Sequence, residues 1–257
     1  MGKRVEKRKP TWRRVLPFVI FLAGLLLVVF ASRSLWMGWR DDIAARSEYN
    51  ELRRDFELQV EAPAENLPHI VEPPPEDLPD LLDMSAFIAI NPDFVGWISI
   101  EGTSVSYPVV QGQDNALYLT TTFNGERNPA GAIFMDYRAR NTFDTPITML
   151  HGHNMRDGSM FASLPKFLDP AFLSDHPEIM IVTADGETLV YKIFYARRMS
   201  AWDPVYTLDF NYAATVELFS AAPADTSRIL LLSTCTSDGD RNVRVLVYAA
   251  LRIGATT

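Results

Sequence analysis

Cys235 is the only cysteine among the 257 residues of the chain, so any thiol chemistry must depend on it. It follows the apolar run 228–234 and precedes the polar residues 236–241. A buried strand that ends in a polar loop places its last side chain at the rim of a sheet, where a substrate can reach it. A thiolate there can attack a carbonyl carbon, whereas a thiol buried in a core is inert. The position of Cys235 by itself leaves both interpretations open.

Two histidines, His151 and His153, could serve as the partner of this thiol. They follow the apolar run 145–150 and flank Gly152, and they share a face if the strand continues, because strand side chains alternate. One imidazole beside a reactive cysteine could act as a general acid and base in acyl transfer. Two imidazoles together with a carboxylate or Cys235 could instead bind the metal of a hydrolase. The pattern does not choose between His151 and His153. The other two histidines are expected to lie in a solvated linker and loop: His69 and His176.

An arginine is expected at the same end of the sheet as the cysteine. Residues 243–251 alternate with the period of a strand, and an antiparallel pairing with 228–234 would bring Arg244 opposite Cys235. A guanidinium group at that position would favour the thiolate. Arg241 is a rival, but Arg244 fits the alternating pattern better. Asp238 and Asp240 are candidates for an orienting carboxylate, although loop acids are more often solvated.

Eight strand-like segments, separated by turn signals and rich in β-branched and aromatic residues, must position these groups. They are residues 94–100, 103–110, 131–137, 146–151, 179–183, 188–197, 228–234 and 243–251. Four short helical segments are expected at 81–89, 115–119, 160–164 and 212–221. This composition predicts a mainly β fold, a closed barrel or a sandwich of about eight strands with a few short helices.

The N-terminal region predicts a membrane anchor. Residues 1–14 carry a net charge of +6, and because the whole chain is at −8 the remainder carries −14. Residues 15–32 contain no charge and would form a helix of about 27 Å, close to the thickness of a bilayer core. Tryptophans flank this run, so we expect an anchor at 15–37 with the basic tip 1–14 in the cytoplasm. A cleaved signal peptide is the alternative, but no small-residue cleavage site follows the run.

The segment after the anchor is expected to separate it from the globular domain. Residues 39–60 predict a charged, mostly solvated helix, and residues 62–80 contain six prolines and five acids, which is typical of an extended linker. Residues 38–80 are therefore predicted to be a helical spacer and linker, and 81–257 the catalytic domain. An apolar content of 47% excludes a wholly disordered chain, and the net charge of −8 argues against a nucleic-acid partner held by a general basic surface.

Several motifs, in order, resemble the class B sortases, which are membrane-anchored cysteine transpeptidases of Gram-positive bacteria. The similarity extends over roughly 84–251. The motifs are NPDFVGWISI (91–100), YPVVQ (107–111), DN (114–115), YL (118–119), GAIFMD (131–136), GHNM (152–155), DGSMF (157–161), LLSTC (231–235) and RVLVYA (244–249). Two positions depart from the family pattern: His151 replaces a residue that is usually aromatic, and Leu231 replaces the leading threonine of the cysteine motif.

The resemblance implies a sortase-type barrel and a role for each catalytic residue. Cys235 would be the nucleophile, His153 the general acid and base, since the family's histidine follows a glycine, and Arg244 the oxyanion or substrate clamp. Ser233, Thr234 and Asn154 are candidates for substrate binding. The chemistry requires no metal and no other cofactor.

The resemblance also implies the substrates and the location of the enzyme. Its partners would be the lipid bilayer and secreted proteins with a C-terminal sorting signal, which is cleaved through a thioacyl-enzyme. The acceptor amine would belong to peptidoglycan or its lipid-linked precursor, or to a pilin lysine in a pilin-polymerising enzyme. The catalytic domain would lie outside the cell on a single-pass anchor. The competing hypotheses are a metal-dependent hydrolase and an inactive membrane-tethered binding module.

Overall fold

A computed structural model describes residues 12–61, 82–207, 220–224, 226–236, 240 and 242–251. The chain divides into two compact units, of which the first ends at Ala44 and the second begins at Ala45. The expected basic tip is almost entirely, and the expected linker 62–80 wholly, outside the described residues. The first unit consists of the helical residues 12–44, whose side chains from Leu16 to Arg40 are all exposed. This part of helix α1 (Trp12–Glu61) is long and apolar enough to cross a membrane.

The second unit is built on a closed barrel of eight strands, as predicted. The strands are β1 (Phe94–Ser99), β2 (Ser106–Val110), β3 (Ile133–Met135), β4 (Ile147–His151), β5 (Glu178–Thr183), β6 (Thr188–Ser200), β7 (Ile229–Cys235) and β8 (Val243–Leu251). Their order around the barrel is β1-β2-β3-β4-β7-β8-β6-β5, and β5 closes it on β1. The pairs β2–β3 and β4–β7 are parallel, and the other pairs are antiparallel. All eight predicted strand segments are therefore confirmed.

Strand β7 is buried on both faces, which explains why its sequence is continuously apolar rather than alternating. Leu230 and Leu232 point into the barrel core. Ile229 and Leu231 belong to a second apolar cluster on the outer face, together with β8 residues and the segment that follows β6. The polar end of the strand, from Ser233 to Cys235, therefore continues from a segment that is packed on both faces.

The short helices were predicted less well than the strands. Helix α2 (Ser85–Ile90) and a 3₁₀ turn at Leu117–Leu119 agree with the expected segments, but the turn expected at 160–164 lies instead at Leu164–Leu168. Helix α3 (Pro170–Asp175) was missed, although the Asp169 carboxylate caps it by accepting from the Ala171 amide. The helix predicted at 212–221 lies outside the described residues except for its last two positions, which are helical.

The second half of α1 packs on the barrel, so the prediction of a mostly solvated helix at 39–60 is wrong for one face. Ala45, Tyr49, Leu52 and Phe56 are spaced four, three and four residues apart and are all buried. This spacing lines one side of a helix. The Phe56 ring stacks on Trp97 of β1 with centroids 4.4 Å apart. Residues packed against the barrel thus begin well before the expected domain start at residue 81.

Candidate active site

Cys235 ends β7 directly opposite an arginine. The antiparallel register of β7 and β8 pairs Cys235 with Arg244, as the alternating pattern predicted. The cysteine is half-buried and forms no disulfide. Strand pairing therefore places a thiol and a fixed positive charge at the same end of the sheet.

The segment after β4 brings the turn of His153 to the end of β7. Parallel pairing of β4 with β7 ends where His151 matches Ser233, two residues before His153 in one segment and two before Cys235 in the other. Two hydrogen bonds continue the contact beyond the strand: the Gly152 amide donates to the Ser233 carbonyl at 3.2 Å, and Asn154 Nδ2 donates to the Cys235 carbonyl at 2.9 Å.

Thr234 reinforces this contact from inside the barrel. Its Oγ1 donates to the Gly152 carbonyl at 2.8 Å, and the residue is only 2% exposed. The histidine turn is thus held to the end of β7 by hydrogen bonds to three successive residues of that strand.

A glycine is needed between the two histidines because the chain passes close to the core there. A Cβ on Gly152 would meet the Ile133 side chain and come within 2.7 Å of the Phe161 ring, and both residues are fully buried. His153 therefore follows a backbone position that only glycine can occupy without displacing core side chains. This contact is the physical reason for the Gly-His pair in the sequence.

The His153 imidazole has a defined partner. Its Nε2 lies 2.8 Å from the Leu119 carbonyl oxygen, which can only accept, so Nε2 carries a proton in this arrangement. A hydrogen bond at one ring nitrogen fixes the ring's orientation and leaves Nδ1 as the nitrogen that can exchange a proton. His153 is half-buried, so the ring is open to a substrate.

His151 is engaged elsewhere. Its Nε2 lies 3.2 Å from Oδ2 of the fully buried Asp136, and its ring stacks on Phe134. Burial alone would raise the pKa of Asp136, but hydrogen bonds from Arg138, His151 and Asn115 outweigh it and hold that pKa well below its usual value. The two imidazoles therefore have different partners: β4 ends at His151, and His153 lies in the turn that follows it.

A tyrosine that the sequence analysis missed closes the site on the outer face. The Tyr206 hydroxyl lies 2.8 Å from Ser233 Oγ, and Tyr206 packs against the outer apolar cluster. Burial raises its pKa to about 12, while the hydrogen bond to Ser233 and the nearby charge of Arg244 oppose this shift. Tyr206 lies in a 3₁₀ turn (Pro204–Thr207) far along the chain from the catalytic motifs, and no local pattern identifies it.

Arg244 donates through one guanidinium nitrogen to the Val243 carbonyl at 3.2 Å, and its charge acts on Tyr206. Two residues near Cys235 in the sequence, Arg241 and Asp238, lie outside the described residues. Asp240 is exposed, and its Oδ1 accepts from the Asn242 amide. In the described part of the chain, no group of three or more His, Cys, Asp or Glu residues is arranged to hold a metal ion.

This arrangement is suited to acyl transfer. The thiol of Cys235, the guanidinium group of Arg244 and the turn that carries His153 all lie at the carboxyl end of β7, and these are the group types that acyl transfer through a thioester uses. Apolar side chains of β4, β7 and β8 pack together on the outer face of the barrel next to this site.

Comparison with known proteins agrees with this interpretation. The family profile described as "Sortase domain" matches residues 98–252. Sortase B of Listeria monocytogenes is 37% identical over 164 residues, which cover 59% of this chain and 66% of the Listeria protein. Sortase B of Staphylococcus aureus is 28% identical over 250 residues, 93% of this chain and 96% of that protein.

Solved structures give the same result. The Staphylococcus aureus sortase B–substrate complex superimposes with a TM-score of 0.67 at 26% identity, over 83% of this chain and 98% of that one. A Streptococcus pyogenes class B sortase involved in pilus biogenesis superimposes with a TM-score of 0.57 at 29% identity, over 65% of this chain and 97% of that one.

Proposed function

Because the chain belongs to the sortase family of cysteine transpeptidases, and within it to class B, we propose that it cleaves the sorting signal of secreted proteins and transfers the acyl group to an amine. The residues that carry out this reaction are Cys235, His153 and Arg244. The observation that carries the proposal is the set of contacts at the end of β7. Arg244 pairs with Cys235 on one side, and the turn of His153 is hydrogen-bonded to the Cys235 carbonyl on the other.

In the first half-reaction, the Cys235 thiolate attacks the carbonyl carbon of a threonine in the sorting signal. The peptide C–N bond breaks, His153 gives its proton to the departing amine, and a thioester joins the substrate to Sγ. Arg244, which is always charged, donates hydrogen bonds to the oxyanion that forms in the tetrahedral intermediate.

In the second half-reaction, an acceptor amine attacks the thioester. His153 removes its proton, the C–S bond breaks and the Cys235 thiolate is regenerated, so the enzyme ends as it began. We propose that the amine belongs to peptidoglycan or its lipid-linked precursor. A pilin lysine is the second candidate, because one structural relative is a class B sortase involved in pilus biogenesis. Mass measurement of products formed with each acceptor distinguishes the two.

The three other candidate site residues act through the catalytic ones. Ser233 is hydrogen-bonded to Tyr206, Thr234 to the Gly152 carbonyl and Asn154 to the Cys235 carbonyl. Ser233 and Tyr206 therefore shape the wall of the substrate groove. Thr234 and Asn154 hold the histidine turn at the correct distance from the nucleophile.

The exposed apolar part of α1 supports a membrane location. We propose that residues 15–37 cross the membrane once, with 1–14 in the cytoplasm and the barrel outside. A catalytic domain held there meets secreted substrates as they emerge and wall precursors while they are still bound to lipid. An uncleaved anchor of this kind is consistent with an apolar run that lacks a cleavage site.

The assignment of residues is tested with the full chain in detergent and peptides that carry candidate sorting signals. Cys235→Ala is expected to abolish cleavage, and His153→Ala to reduce kcat by about 10²–10⁴-fold because the general acid is lost. The matched control is His151→Ala, which removes an imidazole two residues away and should retain most of the activity. Undiminished cleavage by Cys235→Ala, or greater loss in the His151 variant than in the His153 variant, would refute the assignment.

A further inference from the structure

We infer that Arg46 and Tyr49 of helix α1 are positioning residues for His153. The inference rests on the proposed role of His153 as general acid and base. Two loops determine where the imidazole lies: the carbonyl loop (residues 116–132), which includes Leu119, and the histidine loop (residues 152–161), which carries His153 itself. The barrel-packed half of α1 holds both loops through polar contacts.

Tyr49 fixes the carbonyl loop. Its hydroxyl donates to the Gly131 carbonyl at 2.6 Å and accepts from the Phe123 amide at 3.3 Å, and all three residues are buried. These buried backbone groups need a partner, and Tyr49 supplies it to two points of the loop at once.

The effect of Tyr49 reaches Leu119 through the backbone. Gly131 has a φ of +57°, and its Cα approaches the Tyr118 and Leu119 backbone so closely that a Cβ there would collide with it. The Ala132 amide also donates to the Tyr118 carbonyl at 3.0 Å. Holding Gly131 therefore holds Leu119, whose carbonyl accepts the Nε2 proton of His153.

Arg46 fixes the histidine loop. Its Nε donates to Asp157 Oδ2 at 2.6 Å, and a terminal nitrogen donates to the Asp157 carbonyl at 3.3 Å. Burial acts to raise the pKa of Asp157, but hydrogen bonds from Ser159 and Arg46 outweigh it and leave that pKa below its usual value. Arg46 therefore binds both the carboxylate and the backbone carbonyl of a residue that lies four positions after His153.

A strained residue shows that this loop depends on its surroundings. Met160 is fully buried and has a φ of +55°, a left-handed conformation that non-glycine residues rarely adopt. Its amide donates to the Tyr107 hydroxyl at 2.9 Å, and the Tyr107 ring meets Tyr49 edge to face at 5.3 Å. The amide of the neighbouring Phe161 donates to the His153 carbonyl, so the strained end of the loop is hydrogen-bonded directly to His153.

The nucleophile does not share this dependence. Cys235 and Arg244 are placed by the seven residue pairs that join β7 to β8, a ladder to which no residue of α1 belongs. Loss of the α1 contacts should therefore displace the imidazole and leave the thiol in place. Misplacement by a fraction of an ångström lowers kcat while leaving substrate affinity largely intact.

The test measures kcat and KM for the full chain in detergent, with turnover expressed per titrated Cys235 thiol and per folded molecule by circular dichroism. Tyr49→Phe, which removes two buried hydrogen bonds, and Arg46→Ala, which removes an exposed charge-assisted contact, are each expected to lower kcat about tenfold, with KM unchanged within about twofold. Arg46→Lys keeps the charge and should recover part of the loss. The controls are Arg54→Ala, an exposed arginine on the same helix, and Tyr195→Phe, a half-exposed tyrosine on β6, and both should match the wild type.

The outcomes separate this inference from the proposed function. If kcat per folded molecule stays within about twofold of wild type in both Tyr49→Phe and Arg46→Ala, or if Arg46→Lys recovers nothing, the positioning role is wrong. In that case inactive Cys235→Ala and His153→Ala chains would still uphold the proposed function. If Cys235→Ala or His153→Ala remains active, the proposed function itself fails.

Discussion

His151 and His153 show how two identical side chains, two residues apart in the chain, come to lie in different environments. The imidazole of His151 faces a buried carboxylate that is already paired with Arg138, whereas the imidazole of His153 faces a neutral carbonyl oxygen. An imidazole bound to a neutral acceptor can become an imidazolium or return to neutral without breaking an ion pair, as a general acid and base must. The environment of His153 therefore suits proton transfer, and that of His151 suits structure.

At this scale we predict that Asp136 sets the acid stability of the domain. Its pKa is held well below its usual value, so it contributes stability that is fully present above the unfolded-state pKa of about 4 and is lost as the pH falls below it. Asp136→Asn, which leaves Arg138 without its buried partner, should lower the free energy of unfolding at pH 7 by about 3 kcal/mol. Urea unfolding at pH 7 and at lower pH values measures both effects.

The control for this prediction is Asp144→Asn, on the exposed loop before β4. It should unfold within about 0.5 kcal/mol of the wild type at neutral pH. If the Asp136 variant and the wild type lost stability equally on acidification, the stability assigned to the Asp136 carboxylate would be wrong.

The sequence predicted the positions of single residues on the strands better than it predicted the groups that surround them. The alternation of residues 243–251 placed Arg244 opposite Cys235, because strand register follows from a period of two. The residues alone could not choose between the histidines, since the distinguishing groups, Asp136 and the Leu119 carbonyl, come from other parts of the chain. Tyr206 was missed for the same reason.

Among the elements, the second half of α1 contributes most beyond the barrel. Its buried stripe is interrupted by charged residues such as Arg46, Arg53 and Glu57, and this made the sequence typical of a solvated helix. Strands were predicted reliably because burial on one or both faces imposes a strong pattern. A helix that covers only part of a barrel leaves a weak pattern, since most of its surface remains in water.

We predict that Phe56→Ala destabilises the catalytic unit by about 3–5 kcal/mol, because it removes a buried ring that stacks on Trp97 and leaves a cavity. Leu58→Ala, on the exposed side of the same helix, should change stability by about 0.5 kcal/mol or less. Thermal and urea unfolding of the full chain measure both values. Equal stabilities of the two variants would mean that α1 does not pack on the barrel in solution.

For the whole molecule, the net charge of −8 conceals an unequal distribution, with a basic tip of +6 before an apolar run and −14 in the rest of the chain. A basic segment on the N-terminal side of an anchor is typical of an N-terminus retained in the cytoplasm. The proposed topology therefore places a thiol enzyme outside the cell, where its only cysteine lacks an intramolecular disulfide partner.

The single cysteine makes this topology directly measurable. In intact protoplasts, a membrane-impermeant maleimide is expected to label Cys235 of the full chain. A chain in which Cys235→Ser is combined with Gly2→Cys should be labelled only after the membrane is permeabilised. Labelling of the Gly2→Cys chain in intact protoplasts, together with no labelling of Cys235 in the unsubstituted chain, would reverse the proposed orientation.

The proposed reaction passes through a thioester between the substrate and Cys235, which an acceptor amine then attacks. The full chain is incubated with peptides that vary around a fixed threonine, quenched in acid and examined by peptide mass mapping. We expect an acyl adduct on the peptide containing Cys235, absent from the Cys235→Ala chain and released as a hydroxamate when hydroxylamine is added before the quench. Cleavage of the peptides with no adduct on Cys235, or with equal efficiency by the Cys235→Ala chain, would contradict it.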